Sequence, residues 1–138
     1  LMRHAKSSWS EPGLADYDRP LNSRGKRDAL RAGTEILNRE CPPEGIVASS
    51  AKRTVATAKR IAETCGFDDS IWTTRDLYLA PFDAYSSVIA ESPQEIQTML
   101  LIGHNPTVAH WSRSLLMKVR WSHIVGQFGS EVKVYSCC

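Results

Sequence analysis

Arg3 and His4 stand side by side at the end of a short apolar start, Leu1-Met2. The pair joins a permanent planar cation to a ring nitrogen that can act as a nucleophile. Two further polar clusters occupy comparable places, Ser49-Ser50-Ala51-Lys52-Arg53 and Gly103-His104-Asn105. Together they bring two histidines, two or three arginines and serine hydroxyls, with no evident set of metal-binding carboxylates. Two arginines can fork onto a dianionic phosphoryl group and neutralise its charge in the transition state. One histidine can attack phosphorus in line, forming a phosphohistidine that water then hydrolyses. The second can donate a hydrogen bond to an equatorial oxygen. These residue types point to metal-free phosphoryl transfer that needs no cofactor.

That chemistry requires the three clusters to meet, so the elements carrying them matter. Ile46-Val47-Ala48 reads as a buried strand, and the run 98–102 is the clearest strand in the chain. Residues 70–74 read as a third strand. Asn22 is a suitable N-cap for a helix running to about residue 39, with Ala29, Leu30, Gly33, Ile36 and Leu37 at helical spacing. A second helix carries Ala58, Ile61, Ala62 and Cys65, and Gly66 is placed to stop it. Residues 84–90 form a short helical stretch. After Pro106, Val108, Trp111, Leu115 and Val119 make another helical stripe, and 131–135 alternates as a half-buried strand does. Strand, loop and helix alternate at least three times. The reading is an α/β fold, a three-layer α/β/α sandwich on a mostly parallel sheet, in one domain over 1–138. Such sheets bind ligands outside the carboxyl ends of their strands, and Arg3-His4, 49–53 and 103–105 all sit at such ends. Each also precedes a helix, whose N-terminus favours an anion.

At 138 residues and 42% apolar content the chain can bury a substantial core. A net charge of +2 without a basic stripe or aromatic-basic motif gives no case for a nucleic-acid partner. No apolar run approaches the roughly 20 residues of a membrane helix, so no membrane partner is expected. The four cysteines lack zinc spacing and any CxxC. They read as free thiols in a reducing compartment, either the cytoplasm or an organelle reached through a removed targeting segment. Nothing in the sequence sets an oligomeric state.

Five motifs now appear in a fixed order: Met2-Arg3-His4-Ala5-Lys6-Ser7; Asp18-Arg19-Pro20-Leu21 with Gly25; Ser49-Ser50 with Arg53; Leu77-Tyr78-Leu79-Ala80; and Gly103-His104-Asn105-Pro106. The set resembles the histidine phosphatase superfamily, the phosphoglycerate-mutase-like fold, and most closely its small SixA-like phosphohistidine phosphatases. The resemblance covers 1 to about 116, and the segment 119–138 diverges. It implies His4 as the phosphorylated nucleophile, with Arg3, Arg53 and His104 completing the catalytic phosphate pocket. It also places Arg19 near the pocket mouth. Ser49 is a further candidate phosphate ligand, although a turn or cap role suits it equally.

Ala5 replaces the family's more usual glycine, a small change shared by SixA-like members. Larger relatives carry a glutamate general acid in the loop after the third strand; loose alignment puts Leu79 there, with Asp76 and Asp83 the nearest carboxylates. Without a positioned acid an alkoxide leaves poorly. An imidazole, whose own pKa is about 6.5, leaves with less help. The expected substrate is therefore protein phosphohistidine, with phosphoramidates or aryl phosphates preferred over alkyl phosphates. Alternatives are a small-metabolite phosphatase or mutase, or a catalytically weak phosphate-binding regulatory module. His110, His123, Lys118 and Arg120 read as structural or solvent-facing, and Asp76 reads better as a capping or solvated residue than as an acid. Trp9 reads as a loop anchor more readily than as a lid.

Overall fold

The computed structural model describes residues 1–38 and 42–110. Four strands form one parallel sheet: β1 (Met2–Arg3), β2 (Gly45–Ser49), β3 (Trp72–Thr74) and β4 (Met99–Gly103). Their order across the sheet is β1-β4-β2-β3. Three helices connect them, α1 (Ser23–Asn38), α2 (Lys52–Cys65) and α3 (Phe82–Ala90), with 3₁₀ turns at Asp16–Asp18 and Arg75–Leu77.

The order of strands dictates the layers. The chain passes from β1 to β2 to β3 in one direction, then returns to insert β4 between β1 and β2. Parallel crossovers are right-handed, so reversing direction moves the connecting helix to the opposite face. Accordingly α1 and α2 share one face. There Ile36, Ala58, Ile61, Ala62 and Cys65 pack on Met2, Ile46, Ala48, Leu100 and Ile102. On the other face, Tyr85 of α3 packs with Leu1, Val47, Leu77, Leu101 and Val108. Alternate residues of β2 and β4 thus feed opposite cores, as the two-residue period of a strand requires, and the three-layer α/β/α reading holds.

The helix ends follow from local chemistry. The Asn22 side chain accepts from the Gly25 N–H at 2.8 Å, capping α1. Gly66 takes φ +74° just past Cys65, where a side chain would be strained, and ends α2. The expected third strand is shorter than read, Trp72–Thr74, and α3 starts earlier, at Phe82. Trp9 is not a buried anchor: it is 75% exposed and lies over the Arg19 guanidinium. Residues 107–110 begin a helix; the stripe at Trp111, Leu115 and Val119, the strand read at 131–135 and Cys41, Cys137 and Cys138 lie outside the described residues. Cys65 is a free, buried thiol. Among the described residues no helix is long and apolar enough to cross a membrane.

Register places the strand ends in one row. Arg3 pairs with Gly103, Ala48 with Ile102, and Ser49 with Thr74. His4 and His104 are each the next residue after this row, and the His4 N–H continues the ladder to the Gly103 carbonyl at 3.0 Å. The sequence's polar clusters therefore open on the same edge.

Candidate active site

His4 is held in one tautomer. Its Nδ1 lies 2.7 Å from the Ala5 carbonyl, which can only accept, so Nδ1 carries the proton. Its Nε2 lies 3.1 Å from Arg53 Nε, which can only donate, so Nε2 bears the lone pair. Burial, followed by the charges of Arg53, Arg3 and Arg19, lowers the His4 pKa to about 4 against the opposing pull of the Ala5 carbonyl. The result is a neutral imidazole with a directed lone pair. A second anchor fixes this turn: the Ala5 N–H donates to Thr57 Oγ1 at 3.1 Å, and the same hydroxyl donates to the Arg53 carbonyl at 2.8 Å.

Arg53 stands in the first turn of α2 with only 3% of its surface exposed. Beyond its contact with His4, its NH2 donates to His104 Nδ1 at 3.2 Å and to Asp16 Oδ2 at 2.9 Å, and its NH1 donates to the Asp16 carbonyl. His104 must accept at Nδ1, so its proton is on Nε2, which donates to Ser49 Oγ at 2.9 Å with Thr54 Oγ1 beside it. Burial and then Arg53 lower its pKa to about 3. The two imidazole rings lie 5.1 Å apart. Behind them, the Tyr85 hydroxyl accepts from the His104 N–H at 3.2 Å, on a ring only 1% exposed. Gly103 permits this approach, because a Cβ there would fall 1.8 Å from that oxygen.

The structure thus brings His4, Arg53 and His104 together. Arg3 is exposed at the end of β1, and its charge bears on both histidines. Ser49 is fully buried and meets His104. Arg19, 7% exposed, reaches the cluster through Asp16: its NH1 donates to Asp16 Oδ1 at 2.8 Å, while NH2 and Nε hold Ser7 Oγ and the Ser8 carbonyl.

Asp76 has the capping, solvated role expected of it, and the carboxylate in the site comes from elsewhere in the chain. Asp76 is exposed and bonded to Thr74 at the start of its own 3₁₀ turn, and Asp83 lies in the first turn of α3. The carboxylate within the arginine cluster is Asp16. Desolvation pushes it up, but hydrogen bonds from Tyr78, Arg53 and Arg19 outweigh that and hold it at about 2. Tyr78 donates to Asp16 Oδ2 at 2.9 Å, stands edge-on to His104 and is met edge-on by Tyr17. Asp16 carries no motif of its own. The available signal was a carboxylate three residues before a motif arginine. Among the described residues, no group of three or more His, Cys, Asp or Glu is arranged to hold a metal ion.

A parallel sheet with helices on both faces, and two histidines and a buried arginine at its carboxyl edge, defines a phosphoglycerate-mutase-like fold. The chain belongs to the histidine phosphatase superfamily, branch 1, whose family model matches residues 1–78, and its features are SixA-like. It is 30% identical to the "putative phosphohistidine phosphatase SixA" of Agrobacterium tumefaciens, with a TM-score of 0.77 over 91% of this chain and 80% of that one. A tungstate complex of the protein histidine phosphatase SixA matches at a TM-score of 0.73 and 19% identity, covering 83% of this chain and 73% of that one. An uncharacterized chloroplastic protein of Arabidopsis thaliana is 32% identical over 76% of this chain and 52% of its own length. An uncharacterized protein of Mycobacterium tuberculosis is 34% identical over 78% of this chain and 65% of its own. The chain spans about half to two thirds of the length of these curated relatives.

Proposed function

We propose that this chain is a metal-independent phosphatase that hydrolyses phosphohistidine in proteins through a phosphohistidine intermediate on His4. One observation carries the reading: the His4 Nε2 lone pair is directed at a buried guanidinium 3.1 Å away. A phosphoryl group that draws Arg53 onto its oxygens places phosphorus where that lone pair can attack. Arg3 adds a second cation, and His104, held from behind by Ser49, borders the same space. Arg19 supports the pocket through Asp16.

The leaving group argues for the substrate. By loose alignment Leu79 falls where larger relatives carry their acid, and it is 60% exposed. Asp16 is ionised and so has no proton to give. An imidazole that enters protonated on its other ring nitrogen leaves as the neutral ring without one. An open groove of about 410 Å³ lies beside Tyr17, bordered also by Asp18, Ser50, Lys52 and Lys59.

The test is turnover of a phosphohistidine peptide, p-nitrophenyl phosphate and a simple alkyl phosphate, with and without chelator, by the chain and by His4→Ala. Expected is chelator-resistant hydrolysis of the first two, slower hydrolysis of the third, and loss of all three in His4→Ala. Alkyl phosphate turned over as fast as phosphohistidine would overturn the substrate reading. Phosphate binding without turnover would overturn the enzymatic one.

A further inference from the structure

Asp16 is an unusual occupant for a pocket that must bind a dianion. Its carboxylate would repel the phosphoryl group, yet it is wired into the site by three side chains from separate parts of the fold. Arg53 and Tyr78 hold Oδ2 at 2.9 Å each, and Arg19 holds Oδ1 at 2.8 Å. Its side chain nevertheless remains 44% exposed. A carboxylate offers about four acceptor positions, so these three bonds leave room for another donor. When a phosphoryl group recruits Arg53, a further position opens, while Arg19 and Tyr78 keep the carboxylate in place. A fixed, accessible anion beside the phosphoryl site is complementary to a cationic leaving group.

We infer that Asp16 is a specificity-determining residue, whose carboxylate accepts the distal N–H of the substrate's phosphorylated imidazole. This rests on the phosphohistidine reading above. The step balances without a proton donor. The substrate enters as a phosphoimidazolium, protonated on the ring nitrogen that does not carry phosphorus. His4 Nε2 forms a bond to phosphorus, the substrate's N–P bond breaks, and its electron pair returns to the leaving nitrogen. The ring departs as neutral imidazole, still carrying its distal proton. The positive charge on the leaving ring falls from the bound substrate to the transition state without vanishing. The carboxylate therefore lowers the transition state relative to free enzyme and substrate and acts on kcat/KM, by binding the ring in its protonated, leaving-competent form. The same anion opposes a leaving group that gathers negative charge, such as a phenolate. Asp16 therefore separates phosphoramidates from esters electrostatically.

The groups facing Asp16 are Arg53 of α2, Arg19 of the first loop and Tyr78 after β3, with His104 beyond them. His4 and His104 titrate near 4 and 3, and Tyr78 is raised above its usual 10 by burial and by Asp16. Between pH 5 and 9 His4, His104 and Tyr78 therefore keep their charge state, and the groups that titrate there are the substrate's own: its imidazolium and, at about 6, its phosphoryl oxygens, of which the ester carries only the second.

The experiment compares kcat/KM for a phosphohistidine peptide and for p-nitrophenyl phosphate in the chain, in Asp16→Asn and in Asp16→Glu. One pKa unit of lost stabilisation corresponds to about tenfold, so Asp16→Asn should lower the phosphohistidine-to-ester ratio by about tenfold or more. Asp16→Glu, which keeps the charge, should recover part of it. The alkaline limb of kcat for phosphohistidine, which reports the bound complex, should move to lower pH in Asp16→Asn. If Asp16→Asn changes both substrates by one factor and leaves that limb in place, the residue only positions Arg53 and the inference falls while the phosphohistidine reading stands. If the unaltered chain turns over the ester and not phosphohistidine, the substrate reading itself falls, and this inference with it.

Discussion

Arg53 Nε donates a hydrogen bond to His4 Nε2 at 3.1 Å, so the guanidinium that would stabilise the transferring phosphoryl group caps the nitrogen that would attack it. A guanidinium does not give up its proton, so the contact fixes the imidazole as an acceptor. It also makes phosphoryl binding and exposure of the nucleophile one event, because the substrate's oxygens must take over the donor that His4 releases.

The His4 ring should therefore be the neutral Nδ1–H tautomer throughout the neutral range. Long-range ¹H–¹⁵N correlation spectra should show a pyrrole-type Nδ1 and a pyridine-type Nε2, with protonation only near pH 4. A titration near the ordinary histidine value, about 6.5, would mean that Arg53 does not engage the ring in solution.

The same shifts make the fold acid-sensitive. In the unfolded chain His4 and His104 take up protons as the pH falls below about 6.5. In the folded chain they stay neutral until about 4 and 3. Unfolding thus binds protons over that interval, and stability present at pH 7 is lost as the pH falls from about 6.5 toward 4. Asp16 stays ionised down to about 2, so the stability it contributes is present at pH 5 and pH 7 alike and is lost only below the usual carboxylate range. The urea midpoint should be lower at pH 5 than at pH 7, and His104→Asn should narrow the gap. Equal midpoints in the unaltered chain would contradict the shifts.

Arg53→Lys tests the planar fork. Arg53 serves His4, His104 and two Asp16 oxygens from three nitrogens. An ammonium is a point donor and cannot span them. Losing such preorganised donors costs about 10²–10³ in kcat, and a loss of that order is expected for any phosphoryl substrate. Activity within about threefold of the unaltered chain would remove Arg53 from the reaction.

How much of this was legible in the sequence depends on the range of each interaction. The α1 cap at Asn22, the stop at Gly66 and the strand at 98–102 rest on neighbours along the chain, and local pattern placed them within a residue or two. His4, Arg53 and His104 were legible because strand ends converge at one edge of a parallel sheet whatever the side chains, although a loop and not a helix follows His4. Asp16 was not legible as part of the site. Arg19 is a local partner three residues on, but Arg53 and Tyr78 lie far along the chain, and only the folded first loop brings Asp16 to them. Ser49 was visible as a polar residue, but its contact with His104 depends on the β2–β4 register. Trp9 gave no local sign that its ring would lie on Arg19 at the surface.

Behind the site, Gly103 and Tyr85 should be coupled. A Cβ at position 103 would meet Tyr85 Oη at 1.8 Å and Cζ at 2.7 Å, and Tyr85 is too buried to swing away. Gly103→Ala should therefore destabilise by overpacking, on the order of 1–3 kcal/mol. Tyr85→Phe relieves the oxygen clash but strips the His104 N–H of its acceptor, at about 1–3 kcal/mol for a buried donor left unpaired. In the double variant the 1.8 Å oxygen contact is gone and the ring carbon at 2.7 Å is the shortest contact left to relieve, so its loss should be smaller than the sum of the single losses. A double-mutant cycle by urea denaturation reads the coupling directly, and contacting residues ordinarily give about 0.5–3 kcal/mol. Strict additivity would mean that the Tyr85 hydroxyl does not set the position of the β4 end, and so does not hold His104 where Arg53 can reach it.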